Sequence, residues 1–271
     1  MKVVRVTPRN ESEFGEKIRA LEAHAVYPLG ADRFRLDHGP DYFAFFRRLG
    51  EIRTYAAVVD GRVACVASCV LRRVRQIGGS IGRAWYLCDL KVASEFRGLH
   101  LPTRLFGRAF LFNYLRCPRG FAVSMNPGDG SANRAVRIIE RFPWIPLRPV
   151  GEFVFYVWSE SELLELGPLL DAEIGAWRLR SLSGIKDLIL ESTGQPWRLY
   201  HIEGRYCLDD MDGGQIVARP VPGGAHMLCL PGGGTLDRRL KSEGCRSAAT
   251  ASIVAHRMSA TDWRFAASSE I

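Results

Sequence analysis

The 271-residue sequence predicts an α+β protein, layered as a mixed, mostly antiparallel sheet flanked by helices, with a smaller α+β unit after it. Three observations carry that prediction. Thr54–Val59 and Arg62–Arg75, both rich in β-branched residues, flank Asp60-Gly61, a strong hairpin signal. The turn Gly78-Gly79-Ser80 then leads into a further strand, Gly82–Val92, which makes an antiparallel meander. Finally, residues 86–115 (YLCDLKVASEFRGLHLPTRLFGRAFLFNYL) read as apolar strand, tight loop and amphipathic helix. In that helix Leu101, Leu105, Ala109, Phe112 and Leu115 recur at helical spacing and predict the buried face.

The elements follow in order. Residues 1–7 alternate as a first strand and lack the apolar core and cleavage site of a leader, so a cytoplasmic protein is expected. Glu11–Leu21 reads as a helix capped by Asn10, with Phe14, Ile18 and Leu21 on one face. Val26–Pro40 is loop-like, and Asp41–Leu49 is a short helix behind Pro40. After the long helix come a strand Gly120–Met125 and a helix Ser131–Arg141 capped by Ser131. Two strands, Trp144–Val150 and Glu152–Trp158, close the first unit, residues 1–158. Residues 159–175 form an acidic connector helix broken at Gly167-Pro168. Residues 176–271 form the smaller unit. Its strands are expected at Trp177–Arg180, Trp197–Ile202, Gln215–Arg219, Ala225–Leu230, Ser247–Ala255 and Trp263–Ala267, and its helices at Ile185–Ser192 and Leu236–Glu243.

Composition narrows the function. No apolar run approaches the roughly 20 residues that span a bilayer. Seven cysteines without a CxxC pair or zinc spacing read as buried thiols in a reducing compartment. Asp209-Asp210-Met211-Asp212-Gly213 lacks the spacing of a calcium loop and reads as a turn. Charge is unevenly spread. Residues 1–150 hold 25 Lys and Arg against 13 Asp and Glu, net +12, and the remainder holds 12 against 16, net −4. Such a field draws in a polyanionic cofactor or an acidic acyl-carrier protein. A merely solvated basic surface is the plain alternative, and nucleic acid is not an expected partner.

A helix that begins directly after a tight loop presents unbonded N–H groups and a positive dipole end, a site for phosphate. Arg97 stands in that loop, and Arg104 and Arg108 share one helix face. The run Val92, then Arg97-Gly98-Leu99-His100-Leu101-Pro102, resembles the acyl-CoA signature of the GNAT N-acyltransferase superfamily, Arg/Gln-x-x-Gly-x-Gly/Ala. It departs in having His100 at the first glycine and Pro102 at the second. The order of elements over residues 1–158 is similar as well, and the smaller unit can be read as a degenerate second half.

The resemblance implies an acyltransferase whose cofactor is acetyl-CoA or another acyl-CoA. Leu90, Lys91 and Val92 would meet the thioester arm beside a bulge, and Arg97, Gly98, Leu99, His100, Leu101, Pro102 and Thr103 the phosphates. Asn133 would hydrogen-bond the pantetheine. The tyrosine that often serves as general acid has no counterpart, because Ile138 and Ile139 occupy that turn. Tyr27, Phe34, Asp37, His38, Asp41 and Tyr42 are candidate acceptor contacts, with packing aromatics as the alternative. For the base, Asp89 is the only carboxylate on the strand, and Tyr86 or a water-relayed carboxylate comes next. Strand alternation puts Asp89 on the face of Leu87. Two functions follow: acyl transfer from a thioester to an amine of a small molecule, amino acid or peptide, or a catalytically silent acyl-CoA sensor. A homodimer is compatible with either.

Overall fold

A computed structural model describes residues 1–141, 146–208 and 213–271. The fold is mixed α+β, a large and mostly antiparallel sheet flanked by helices, as expected. In chain order the elements are β1 (Lys2–Val6), α1 (Glu11–Glu22), β2 (Val26–Leu29), β3 (Asp32–Asp37), α2 (Ala44–Leu49), β4 (Glu51–Val59), β5 (Arg62–Arg75) and β6 (Ile81–Val92). There follow α3 (Leu101–Arg116), β7 (Gly120–Met125), α4 (Arg134–Arg141), β8 (Arg148–Trp158) and α5 (Glu160–Ile174). The remainder is β9 (Arg178–Ser181), β10 (Asp187–Leu190), β11 (Leu199–Glu203), β12 (Gln215–Val217), β13 (Ala225–Pro231), α6 (Thr235–Ser242) and β14 (Ala249–His256).

Eleven strands form one sheet in the order β1-β4-β5-β6-β7-β14-β8-β13-β11-β9-β12. The meander β4-β5-β6 pairs as its turn residues require, with Asp60 at φ 48° and Gly61 at φ 77° in the hairpin. The expected boundary at residue 158 does not divide this sheet. β14, from the last part of the chain, lies between β7 and β8, and β10 pairs with β3. Residues 176–271 therefore share the core of the first unit.

Several local expectations change. Val26–Pro40 is a β-hairpin, not a loop, because Tyr27 stacks on Phe34 at 5.4 Å and β3 finds a partner in β10. That same pairing makes the expected helix Ile185–Ser192 a strand. Asn10 stands at the start of α1, but its Oδ1 accepts from the Thr7 N–H at 2.7 Å rather than capping the helix. Helix α5 runs unbroken through Pro168, held by a Ser159/Glu162 capping box and by buried Leu163, Leu170 and Ile174. Trp263–Ala267 is no strand: Trp263–Phe265 is a 3₁₀ turn whose rings pack on Phe121. Residues 148–158 form a single strand. Trp144 and Ile145, and the acidic run 209–212, lie outside the described residues. No helix among the described residues is long and apolar enough to cross a membrane.

Two of the core clusters lie on opposite faces of the sheet. Phe14, Ile18, Phe45 and Phe46 of α1 and α2 cover one face, and Leu101 and Leu105 of α3 cover the other with Tyr55, Cys65 and Trp85. The face of α3 differs from the expected one in its second half. Asn113, not Phe112 or Leu115, turns to the sheet: it accepts from Arg53 at 2.8 Å, and its carbonyl accepts from the Trp85 indole at 2.8 Å. A second row, Phe106, Phe110 and Tyr114, stacks at 5.1 Å intervals and faces His256. Those two rows occupy the protein-facing sides of the helix. Phe112 and Leu115 are left in solvent.

Candidate functional site

The site begins at an irregularity in β6. Val66 pairs with Lys91 and Ser68 with Cys88, so Ala67 of β5 faces both Asp89 and Leu90. Two residues opposite one is a β-bulge. Asp89 adopts φ 50°, a left-handed conformation rare outside glycine and tolerated by aspartate. The bulge breaks strand alternation. Asp89 consequently leaves the face of Leu87, where alternation put it, and joins Lys91 and Glu22 on the α1 side.

β6 and β7 then part. They pair in parallel only from Trp85↔Gly120 to Leu87↔Ala122, while both strands continue beyond. Among the described residues, the β7-facing edge of β6 past Leu87 therefore has no strand partner. A cavity of about 1610 Å³ lies at this gap. It reaches from Tyr27 and Phe34 on the hairpin side, past Asp89 and Lys91, to Phe110 and Ile139 on the α3–α4 side.

The loop after β6 lines the same cavity. Gly98 (φ 87°) and His100 (φ 53°) are both left-handed, and a Cβ added at Gly98 would meet nothing within 4 Å. His100 thus keeps the backbone form that a glycine would take, at a cost of about 1 kcal/mol. Thr103 Oγ1 donates to the His100 carbonyl at 2.7 Å and closes the first turn of α3. Among the described residues, the N–H groups of Gly98, Leu99, Leu101 and Thr103 have no backbone acceptor. Pro102 stands at the second helical position, where its missing N–H subtracts one donor. The exposed Arg97 flanks this open, cationic mouth. A phosphate-bearing cofactor fits such a loop.

Below the gap lies a buried charged cluster. His38 Nδ1 is 2.6 Å from Glu22 Oε1, and Lys91 Nζ is 2.9 Å from the same oxygen and in contact with Asp89. Burial and then the Glu22 charge hold the Asp89 carboxyl well above the usual range; Lys186 opposes the rise. Burial would also raise Glu22, but the His38 hydrogen bond and the Lys91 charge bring it below its ordinary value. Burial lowers Lys91 and His38. Lys186, 4.5 Å from the Phe45 ring, is lowered to about 7, chiefly by burial and then by Arg48. The Asp89 Oδ2 atom, fully buried, has no hydrogen-bond partner.

Among the other candidates, Tyr86 also lines the cavity, but it is buried and stacked on Phe121 at 4.9 Å, and burial pushes its hydroxyl far up, so it stays protonated. Asn133 is an N-cap, displacing Ser131 from that role. Its Oδ1 accepts from Ala135 N–H at 2.9 Å and Val136 N–H at 3.3 Å. Its Nδ2 donates to Ser124, Met125 and Asn126 at 2.8 to 3.1 Å. Tyr27, Phe34 and His38 line the cavity. Tyr42 instead packs in the core, Asp37 accepts from the Gly39 N–H, and Asp41 pairs with Arg47. Glu22, Lys186 and the aromatic row of α3 were missed by sequence reasoning. All seven cysteines are free, and burial pushes the Cys65 thiol up to about 12. No metal-ligating cluster occurs among the described residues.

No family model matches the chain, and no curated protein matches it. Among solved structures it is similar to Eis1 from Mycobacterium abscessus, with 15% identity, 59% of this chain and 34% of that chain covered, and a TM-score of 0.37. The chain thus spans about a third of Eis1. It is also similar to a GCN5-related N-acetyltransferase from Anabaena variabilis, with 10% identity, 94% and 72% covered, and a TM-score of 0.48. A third is Arabidopsis thaliana NAA60, solved with a bisubstrate analogue, with 13% identity, 58% and 90% covered, and a TM-score of 0.37.

Proposed function

We propose that this protein transfers an acyl group from coenzyme A to an amine of a small molecule, amino acid or peptide. One observation carries the reading: the bulge at Asp89-Leu90, the parting of β6 from β7, and the loop 97–103 all open on one cavity. Acyl-CoA supplies the activated thioester. The unpaired edge of β6 beyond Leu87 offers N–H groups to a thioester arm and its carbonyl. The loop amides and Arg97 serve the phosphates. Asp89 takes the proton of the attacking amine, being the carboxyl at the bulge that lines the cavity, with burial holding it above its usual range and so making it the stronger base. The hairpin β2–β3 covers the acceptor side with Tyr27 and Phe34.

The buried Tyr86, the bonded Asn133 amide and the Lys91 contact on Asp89 support a second reading, a silent acyl-CoA sensor. Thermal melting with coenzyme A and acetyl-CoA tests the shared part, because a bound ligand raises Tm. No shift with any acyl-CoA would count against both readings. Thiol release over a panel of primary amines separates them: binding without release marks the sensor.

A further inference from the structure

Helix α3 carries an exposed stripe, touched at its N-terminal end by Met1, whose sulfur accepts from Arg104 at 3.7 Å. Arg104, Arg108, Leu111, Phe112 and Leu115 fall within roughly 100° of arc at 3.6 residues per turn. Leu111, Phe112 and Leu115 are 58, 68 and 75% exposed. The helix contains three arginines and no acidic residue. Among the described residues, the side chains of Arg97 and Arg108 have no hydrogen-bond or ion-pair partner. From Arg104 to Leu115 the stripe runs about 16 Å at 1.5 Å per residue, starting beside the loop that faces the cavity.

That loop keeps four open N–H groups, but Pro102 subtracts one donor and His100 is bulky where a glycine would admit close approach. Coenzyme A brings a diphosphate and a further phosphate to be held. The same pantetheine arm on a carrier protein brings a single phosphodiester, and the protein surface supplies the remaining affinity. We infer that the α3 stripe docks an acidic acyl-carrier protein, which delivers its thioester through the gap between β6 and β7. This rests on the acyl-transfer reading. The acceptor nitrogen attacks the thioester carbonyl, an N–C bond forms and the C–S bond breaks. The amine proton passes by way of Asp89 to the departing sulfur, so the carrier leaves as its free thiol.

Charge favours this occupant. A second copy of the chain would set one arginine-bearing stripe against another with no acid on either. A lipid surface would meet only three apolar side chains on a helix whose other sides are packed. An acidic carrier instead meets both the arginines and the net +12 of residues 1–150.

The full chain is titrated against a fluorescently labelled acyl-carrier protein bearing phosphopantetheine, with anisotropy read at low and high salt. Saturable binding that weakens with salt is expected, and Phe112→Glu and Leu115→Glu each weaken it about tenfold. Both side chains are exposed, so the melting temperatures of the variants, and their acetyl-CoA binding by calorimetry, remain those of the parent. Carrier binding unchanged in both variants overturns the inference, as does acetyl-CoA binding with no carrier binding. Loss of a dimer in light scattering, or of binding to phosphatidylglycerol vesicles, confined to these variants, reassigns the stripe and also overturns it. Carrier binding without any acetyl-CoA binding upholds the stripe and instead sinks the coenzyme A reading.

Discussion

Asp89 and Lys91 are in contact on one strand, both side chains at most 5% exposed, where the bulge turns them toward Glu22. Lys91 thereby serves two carboxylates, and one buried oxygen of Asp89, a residue that lines the cavity, remains without a hydrogen-bond partner. Replacing Asp89 with Asn keeps the shape and leaves Lys91 its ion pair with Glu22. Acyl transfer at saturating acetyl-CoA is expected to fall about a hundredfold or more, with cofactor affinity unchanged. Steady-state thiol release and calorimetry check both halves. A full rate in the Asn variant would make Asp89 a purely structural carboxylate.

Much of this arrangement was legible in the sequence. The Asp60-Gly61 hairpin, the order of strands into the loop, and the placing of Arg97 at a helix start follow from local turn chemistry, which acts over a few residues. What escaped depends on distant pairing. Val26–Leu29 and Asp32–Asp37 carry too little apolar periodicity to read as strands, and β10, about 150 residues later, completes their sheet. The face of α3 was misread for a related reason. Its apolar residues form three rows, and helical period alone does not say which rows meet the protein. Asp89 was placed on the wrong face because a bulge is one extra residue, invisible to a rule of alternation.

Lys186 makes the fold sensitive to pH. Its ammonium titrates at about 7 in the folded state against 10.5 in the reference state. Between those values the unfolded chain holds more protons, so stability rises with pH through this window, by up to about 1.4 kcal/mol per unit. Below about pH 7 the full burial penalty applies. Lys186→Met is expected to remove this slope, and urea unfolding of both proteins at pH 7, 8 and 9 reads the difference. Parallel pH dependences for parent and variant would contradict the buried, depressed ammonium.

His100 holds a left-handed φ of 53° at the start of α3. Glycine adopts that angle freely, whereas alanine keeps the strain and has no imidazole. The ordering follows: His100→Gly is more stable than His100→Ala by about 1 kcal/mol. Thermal melts of the two variants measure it. Acetyl-CoA affinity should also be higher for the Gly variant, since the backbone can then approach phosphate closely. Equal stability of the two would mean that the loop relaxes out of the left-handed form.

Asn133 distinguishes a structural amide from a cofactor contact. Its oxygen caps α4 and its nitrogen ties that helix to the end of β7, so Asn133→Ala should destabilise the protein by about 1–2 kcal/mol. Asn133→Ser restores the capping oxygen but not the three donated bonds, and should recover part of that loss. The two variants differ in what they leave for a pantetheine arm hardly at all, since neither retains an amide. If the side chain acts only by holding α4 against β7, acetyl-CoA affinity will follow stability and recover in the Ser variant. A tenfold loss of affinity shared by both, beside a recovered stability in Ser, would instead assign the amide to the cofactor.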